Sequence, residues 1–171
     1  MRRRLSDLGI AVPDWAAVHD AEELGRFLAD HGGRAVVKTP RGGYDGHGVR
    51  IVRSAQEVQD WFADFPELLV EELVDYRREL SAQVARRPGG EAVAYPVVQS
   101  VQKDGVCYEV VAPAPDLDPA LAGQAQEIAL RIAGALDVTG VLAVELFETT
   151  DGRILVNELA MRPHNTGHWT Q

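Results

Sequence analysis

The segment from Asn157 to Gln171 concentrates side chains that bind or react: the carboxylate of Glu158, the guanidinium of Arg162, the amides of Asn157 and Asn165, and the imidazoles of His164 and His168. It follows directly on the apolar run Ile154-Leu155-Val156, so a buried strand delivers these groups to a loop, where binding and catalysis are usually mounted. Glu145 falls inside Leu142-Ala143-Val144-Glu145-Leu146-Phe147 and Glu158 inside Leu155-Val156-Asn157-Glu158-Leu159, each acid interrupting an apolar run. An unpaired buried carboxylate costs on the order of several kcal/mol, so a cation is expected opposite the two. Two carboxylates completed by water and phosphate oxygens suit Mg²⁺, which takes few protein ligands. The alternative, two acids on an open solvent face, requires strict alternation along both strands.

A second cluster surrounds Lys38, which ends an apolar strand just before Pro40-Arg41-Gly42-Gly43-Tyr44-Asp45-Gly46-His47-Gly48. A glycine-rich backbone beside a cation can cradle phosphate, although this pattern is neither a Walker A loop nor a dinucleotide fingerprint. A tight hairpin with a solvated lysine is the competing explanation, and it accounts for neither Tyr44 nor Asp45. Glu71, Glu72 and Glu79 flank the crossing between the first and second parts of the chain. They are either surface acids or a place where backbone groups meet a base edge and a carboxylate takes ribose hydroxyls. Cys107 is read as a small apolar residue, Trp15 and Trp61 as core, and His19, His31 and His47 carry no assigned chemistry.

The bulk properties narrow the partners. At 171 residues and 46% hydrophobic, the chain can bury a core as one domain or two small lobes. A net charge of -9 opposes nucleic-acid binding, which needs a basic surface, and favours a small-molecule partner. One cysteine allows no intrachain disulfide and no thiolate zinc cluster, as in a reducing cytoplasm. Ser6, Asp7 and Gly9 interrupt any signal-peptide core after Arg2-Arg3-Arg4, and no stretch approaches a membrane span.

The elements that must position these groups alternate along the chain. Helices are predicted at 2–8, stopped by Gly9, at 21–29 behind an Asp20 cap, at 55–62 with a Ser54/Glu57 capping box, and at 120–136. Residues 12–14 are expected to form an extended turn. Strands are predicted at 34–39, 49–52, 68–73, 77–86, 92–98 and 106–111, with a turn at Lys103-Asp104-Gly105 before the last. A closing hairpin, 138–148 and 154–159, turns at Thr150-Asp151-Gly152. This is an α+β pattern, and the turning point at Glu71-Glu72-Leu73-Val74 reads as a hinge between two lobes.

In chain order, a lysine ending a strand, a glycine loop, the Glu71-Glu72-Leu73-Val74 hinge, Glu79 beyond it and two carboxylates on antiparallel strands resemble the ATP-grasp superfamily. Within it, the stretch Lys38 to Gly48 and the ending Asn157-Glu158-Leu159-Ala160 through His164-Asn165-Thr166-Gly167-His168-Trp169-Thr170-Gln171 are similar to the family of N5-carboxyaminoimidazole ribonucleotide synthetases, and the resemblance covers nearly the whole chain. Met161 departs from the family's usual proline, and Thr166 replaces a serine. The resemblance implies an ATP-grasp fold with a lid lobe at 1–72 and a core lobe at 73–171. The family's N-terminal nucleotide-fold domain and C-terminal domain are missing, so the chain is expected to be a fragment that is inactive alone.

The same resemblance implies ATP and Mg²⁺ as cofactors, and conversion of aminoimidazole ribonucleotide with bicarbonate, through carboxyphosphate, in purine biosynthesis. It makes Lys38 an α/β-phosphate contact, with Gly43, Gly46 and Asn157 also on the nucleotide. Glu71, Glu72 and Val74 become the adenine hinge, Glu79 the ribose contact, and Glu145 and Glu158 the metal ligands. Arg162, His164 and Asp45 are the implied catalytic groups, and Tyr44, Asp45, Arg162, His164, Asn165 and His168 the implied substrate contacts. A cytoplasmic location and a homodimer of the full-length protein are further expectations. Another ATP-grasp carboxylase or ligase, and a non-catalytic nucleotide-binding fragment, stand as the alternatives.

Overall fold

The computed structural model describes residues 1–41, 47–103 and 105–170. The chain divides into two compact units, one made of Met1–Val12, Asp75–Lys103 and Cys107–Gln171, the other built on Pro13–Val74.

In the Pro13–Val74 unit, strands β1 (Trp15–Val18), β2 (Ala35–Lys38), β3 (Val49–Val52) and β4 (Leu68–Glu72) form an antiparallel sheet in the order β1-β4-β2-β3. Helix α2 (Ala21–Asp30) is the second helix of the chain, after α1 (Arg2–Asp7) in the other unit. The Asp20 carboxylate accepts from the Glu23 N–H at 2.8 Å and so satisfies one of the amides that a helix start leaves without an intrahelical partner. Leu24, Phe27 and Leu28, at i, i+3 and i+4, turn one face of α2 into the core. There they join Val18, Val37, Val52, Val58, Trp61, Leu68 and Val70.

Two expectations for this unit need correction. Trp15, expected in the core, is half-buried and starts a strand of which Val18 joins the core, paired with β4 from Trp15↔Glu71 to Val18↔Leu68. The helix predicted at 55–62 is instead a 3₁₀ turn, Ala55–Val58, followed by α3 (Gln59–Asp64). The capping box does form at Ser54 and Glu57. The break falls at fully buried Val58, whose backbone (φ -128°, ψ 22°) leaves the helical region.

The other unit is a sheet in the order β10-β9-β5-β7-β8, with β6 also paired to β5. Its strands are β5 (Tyr76–Arg86), β6 (Ala92–Ala94), β7 (Val98–Lys103), β8 (Val106–Val111), β9 (Gly140–Thr149) and β10 (Ile154–Ala160). The β-run predicted at 92–98 is therefore two strands, one ending at Ala94 and the next starting at Val98. Helix α4 (Pro119–Ala135) begins with proline at its first turn, where no N–H is missed, and the Asp118 carboxylate accepts from the Ala120 N–H at 2.7 Å. Ala125, Ile128, Ala129, Ile132 and Ala133 cover one sheet face, packed on Leu80, Ala82, Val84, Leu142, Val144, Leu146, Ile154 and Val156. Each fully buried Leu or Ile side chain there is worth about 1.5–3 kcal/mol.

The lobe boundary expected at residue 72 falls near Val74, and Met1–Val12 belongs with the later unit. The reason is edge protection. Strand β10 is an outer strand, and its Val156 N–H donates to the Ala11 carbonyl at 2.9 Å while Arg2 Nη1 donates to the Val156 carbonyl at 2.6 Å. Leu5 and Ile10 sink into the same core. Among the described residues, no helix is long and apolar enough to cross a membrane.

Candidate functional site

In the Pro13–Val74 unit the chemistry centres on Lys38. Its Nζ lies 2.8 Å from Glu71 Oε2, and Glu71 is 2% exposed. The sheet creates this pair: Lys38 stands opposite Leu69 and Val36 opposite Glu71, so the long lysine reaches diagonally to the acid on the neighbouring strand. The base of the glycine loop is closed by the Thr39 N–H donating to the Gly48 carbonyl at 2.9 Å, with Gly48 at φ 73°. Glu72 turns elsewhere, its Oε1 accepting from the Asp14 N–H at 3.0 Å. Gly43, Tyr44, Asp45 and Gly46 lie outside the described residues.

In the other unit, the sheet face opposite α4 carries the polar groups. Alternation along β5 projects Glu79, Ser81 and Gln83 to one side and Leu80, Ala82 and Val84 to the core. The register sets Ser81 opposite Glu145 and Glu145 opposite Glu158. Directly opposed residues point to the same side with Cβ atoms about 4.5–5.5 Å apart, so the two carboxylates share a face. A bulge makes this pairing. Val156 faces Leu146, the next paired residue is Glu158, and Asn157 is the extra residue between them.

His164 Nε2 lies 3.0 Å from Glu145 Oε1. Its Nδ1 lies 2.9 Å from Thr166 Oγ1, which is also 2.8 Å from Ser81 Oγ and 3.2 Å from Gln83 Nε2. Thr166 is fully buried, at the start of the 3₁₀ helix Asn165–Thr170. Gly167 lies close against the Gln83 amide: a Cβ there would stand 2.5 Å from Gln83 Oε1, so the Gln83 side chain would have to move.

Burial pushes the Glu79 carboxyl up from its ordinary value and the charge of Glu145 adds to this, against hydrogen bonds from Tyr76 and Gln102 that favour the ionised form. The Tyr76 hydroxyl donates to Glu79 at 3.2 Å. Burial first, then Glu145 and Glu79, push the Cys107 thiol up as well.

The structure thus assembles Glu79, Glu145, Glu158 and His164 in one unit and Lys38 with Glu71 in the other. Asn157 is half-buried at the bulge, Val74 is half-buried at the chain crossing, and Arg162, Asn165 and His168 are exposed. Arg162 Nη1 donates to the adjacent Pro163 carbonyl. The premise that both metal-type acids interrupt a buried run needs correction for Glu158, which is exposed at the end of its strand. The deeply buried acids are Glu71 and Glu148, and each has found a cation within its own unit. Ser81 and Gln83 were not singled out from sequence, and Thr166 was noted only as a replacement for the family's serine. The alternation of Ser81 and Gln83 with Leu80, Ala82 and Val84 is the signal that marks two of them.

The two oxygen donors on Glu145 and Glu158 fit a hard cation that needs few protein ligands. Among the described residues no cluster of three or more His, Cys, Asp or Glu forms a closed metal cage. The strand-end lysine of one unit and the carboxylate pair on antiparallel strands of the other are the features on which the sequence resembles the ATP-grasp superfamily. The ATP-grasp domain model matches residues 3–171, and the chain belongs to that family.

Within it, the sequence is 57% identical to N5-carboxyaminoimidazole ribonucleotide synthase of Mycobacterium tuberculosis, over 99% of this chain and 41% of that protein. Among solved structures it is similar to an N5-carboxyaminoimidazole ribonucleotide synthetase in its ADP complex, with TM-score 0.87, 34% identity, and 99% of this chain and 45% of that one covered. The Aspergillus clavatus N5-carboxyaminoimidazole synthase with ADP and 5-aminoimidazole ribonucleotide matches with TM-score 0.86 and 29% identity, over 99% of this chain and 44% of that one. The chain spans less than half the length of these relatives.

Proposed function

We propose that this chain is the ATP-grasp portion of a cytoplasmic, ATP- and bicarbonate-dependent carbon–nitrogen ligase that converts 5-aminoimidazole ribonucleotide to N5-carboxyaminoimidazole ribonucleotide, and that the intact protein is a homodimer. One observation carries the reading: the bulge that sets Glu158 opposite Glu145, with His164 bound to Glu145, ties a phosphate-metal pair to an imidazole of the substrate-facing segment. The choice of substrate follows the relatives, whose printed names specify this reaction.

Glu145 and Glu158 would hold Mg²⁺, which when bound would supply positive charge against the phosphates of the nucleotide. Lys38, oriented by Glu71, contacts the α/β-phosphates, with Gly43, Gly46 and Asn157 also on the nucleotide. The Glu71, Glu72 and Val74 segment binds the adenine edge and Glu79 the ribose. A bicarbonate oxygen attacks the γ-phosphorus, the bond to the bridging oxygen breaks, and carboxyphosphate and ADP result. Arg162 offers a planar fork of donors to the bicarbonate and to the charge that grows in this transfer. Carboxyphosphate then releases CO₂ and phosphate, and the substrate's exocyclic amine forms the new N–C bond and loses a proton. Tyr44, Asp45, His164, Asn165 and His168 hold the aminoimidazole ribonucleotide.

Calorimetry of the intact protein with Mg-ATP tests the nucleotide site, and bicarbonate-dependent ADP release with and without aminoimidazole ribonucleotide tests the reaction. ADP release that ignores the ribonucleotide would move the chain to another ATP-grasp carboxylase. Failure to bind Mg-ATP would leave a non-catalytic module.

A further inference from the structure

We infer that Thr166, supported by Ser81 and Gln83, is a positioning residue that fixes the tautomer of His164 and, through that ring, the orientation of Glu145. The inference rests on the reading of Glu145 as a metal ligand for its catalytic consequence, but not for its geometry.

The proton directions follow from donor and acceptor counts. The Thr166 backbone N–H donates to His164 Nδ1 at 3.4 Å, so Nδ1 presents its lone pair. The Thr166 hydroxyl, 2.9 Å from the same nitrogen, directs its hydrogen there as well. Its oxygen is left to accept from the Gln83 amide at 3.2 Å and the Ser81 hydroxyl at 2.8 Å, which fills both lone pairs. The ring hydrogen therefore sits on Nε2 and donates to Glu145 Oε1 at 3.0 Å. With the opposite tautomer, the Nδ1 hydrogen would meet the Thr166 amide hydrogen head-on.

The chain Gln83 and Ser81, to Thr166, to His164, to Glu145 thus has one polarity, built from three buried side chains and ending on the carboxylate. It holds Oε1 of Glu145 through the ring. Partners of this kind, bound to a metal ligand but not to the metal, typically change affinity or activity by about 10–100-fold when removed. A buried threonine that merely filled space would have no use for its hydroxyl, and the near-isosteric valine separates the two roles.

The experiment uses the intact protein and the variants Thr166→Val, Thr166→Ser and Ser81→Ala, the last two in case valine prevents folding. Nitrogen-15 NMR of the His164 ring, without nucleotide and at a pH where the imidazole is neutral, should show one tautomer protonated at Nε2 in the parent protein and in Thr166→Ser. Thr166→Val keeps the backbone N–H and the Glu145 acceptor but loses the 2.9 Å hydroxyl bond, so it should shift the Nδ1 resonance while the proton stays on Nε2, and Ser81→Ala should shift it less. Bicarbonate-dependent turnover should fall about 10–100-fold in Thr166→Val and recover most of its rate in Thr166→Ser. An Nδ1 resonance unchanged in both Thr166→Val and Ser81→Ala, or Thr166→Ser as damaged as Thr166→Val, would overturn the inference. A shifted Nδ1 resonance in a protein whose parent form shows no bicarbonate-dependent turnover would uphold the geometry and reject the enzymatic reading.

Discussion

Arg78→Met should be among the most damaging single substitutions in the unit that contains β5 and β9. Glu148 lies on the core side of β9 and is 4% exposed, and Arg78 Nε meets its Oε2 at 2.5 Å. The same guanidinium donates to Gln99 Oε1 and to the carbonyls of Pro115 and Asp116, tying the segment before α4 to the sheet. Methionine keeps the apolar stem and removes every one of these donors. Glu148 would then face only Arg77, whose Nη1 is 3.8 Å from Oε1 on a largely exposed side chain. Removing one partner of a buried pair costs about 3–5 kcal/mol, against a typical domain stability of about 5–15 kcal/mol. Glu148→Gln retains an acceptor for Arg78 and should cost less, about 1.5–3 kcal/mol. The double substitution Arg78→Met/Glu148→Met should cost less than the sum of its parts, because no uncompensated charge remains buried. Equilibrium urea unfolding, read on the transition of this unit, measures all of these. A loss below about 1 kcal/mol for Arg78→Met would show that water reaches Glu148 and that the pair is not buried in solution.

Three further outcomes are expected. Gly167→Ala should push the Gln83 amide off Thr166 and destabilise the protein by about 1 kcal/mol in thermal or urea unfolding, a loss that Gln83→Ala in the same chain should partly relieve. Because burial holds the Glu79 carboxyl above its ordinary value, its ionised form opposes folding at pH values above that raised point, and the penalty disappears once pH falls below the ordinary value. Glu79→Gln should accordingly raise the Tm at neutral pH and lose this advantage in acid, and calorimetric scans across pH would show no crossing if the idea is wrong. Arg162→Lys should lower turnover by an amount equivalent to about 2–4 kcal/mol while Mg-ATP affinity barely moves, as steady-state kinetics with each substrate varied in turn would report.

Local signals were legible where a residue's neighbours in sequence are also its neighbours in space. The Asp20 cap, the Ser54/Glu57 box and the long helix that is α4 could be read directly, and so could the alternation along β5. Strand β1 could not, because four residues with two alanines acquire their identity only by pairing with β4. The partners of buried acids were equally hidden. Lys38 meets Glu71 across a strand pair, and Arg78 meets Glu148 from 70 positions away. Apolar runs interrupted by acid did point to Glu145 and Glu158, but the cost of burial falls on Glu71 and Glu148 instead. Thr166 stood out in sequence only as a replacement for serine, and only the fold reveals what its hydroxyl touches.

The extra residue at Asn157 makes chain length, and not only chain chemistry, part of the site's specification. An unbroken ladder through the same letters would set Asn157 against Glu145 and drive Glu158 toward the side where Val144 packs, while Leu159 would turn outward. No substitution reproduces that inversion, whereas one inserted or lost residue upstream in β10 does. Insertions and deletions in this hairpin should therefore be purged far more severely than point changes of comparable bulk. A designer who transplants the hairpin onto a regular sheet must carry the irregularity with it, or the two acids will end on opposite sides.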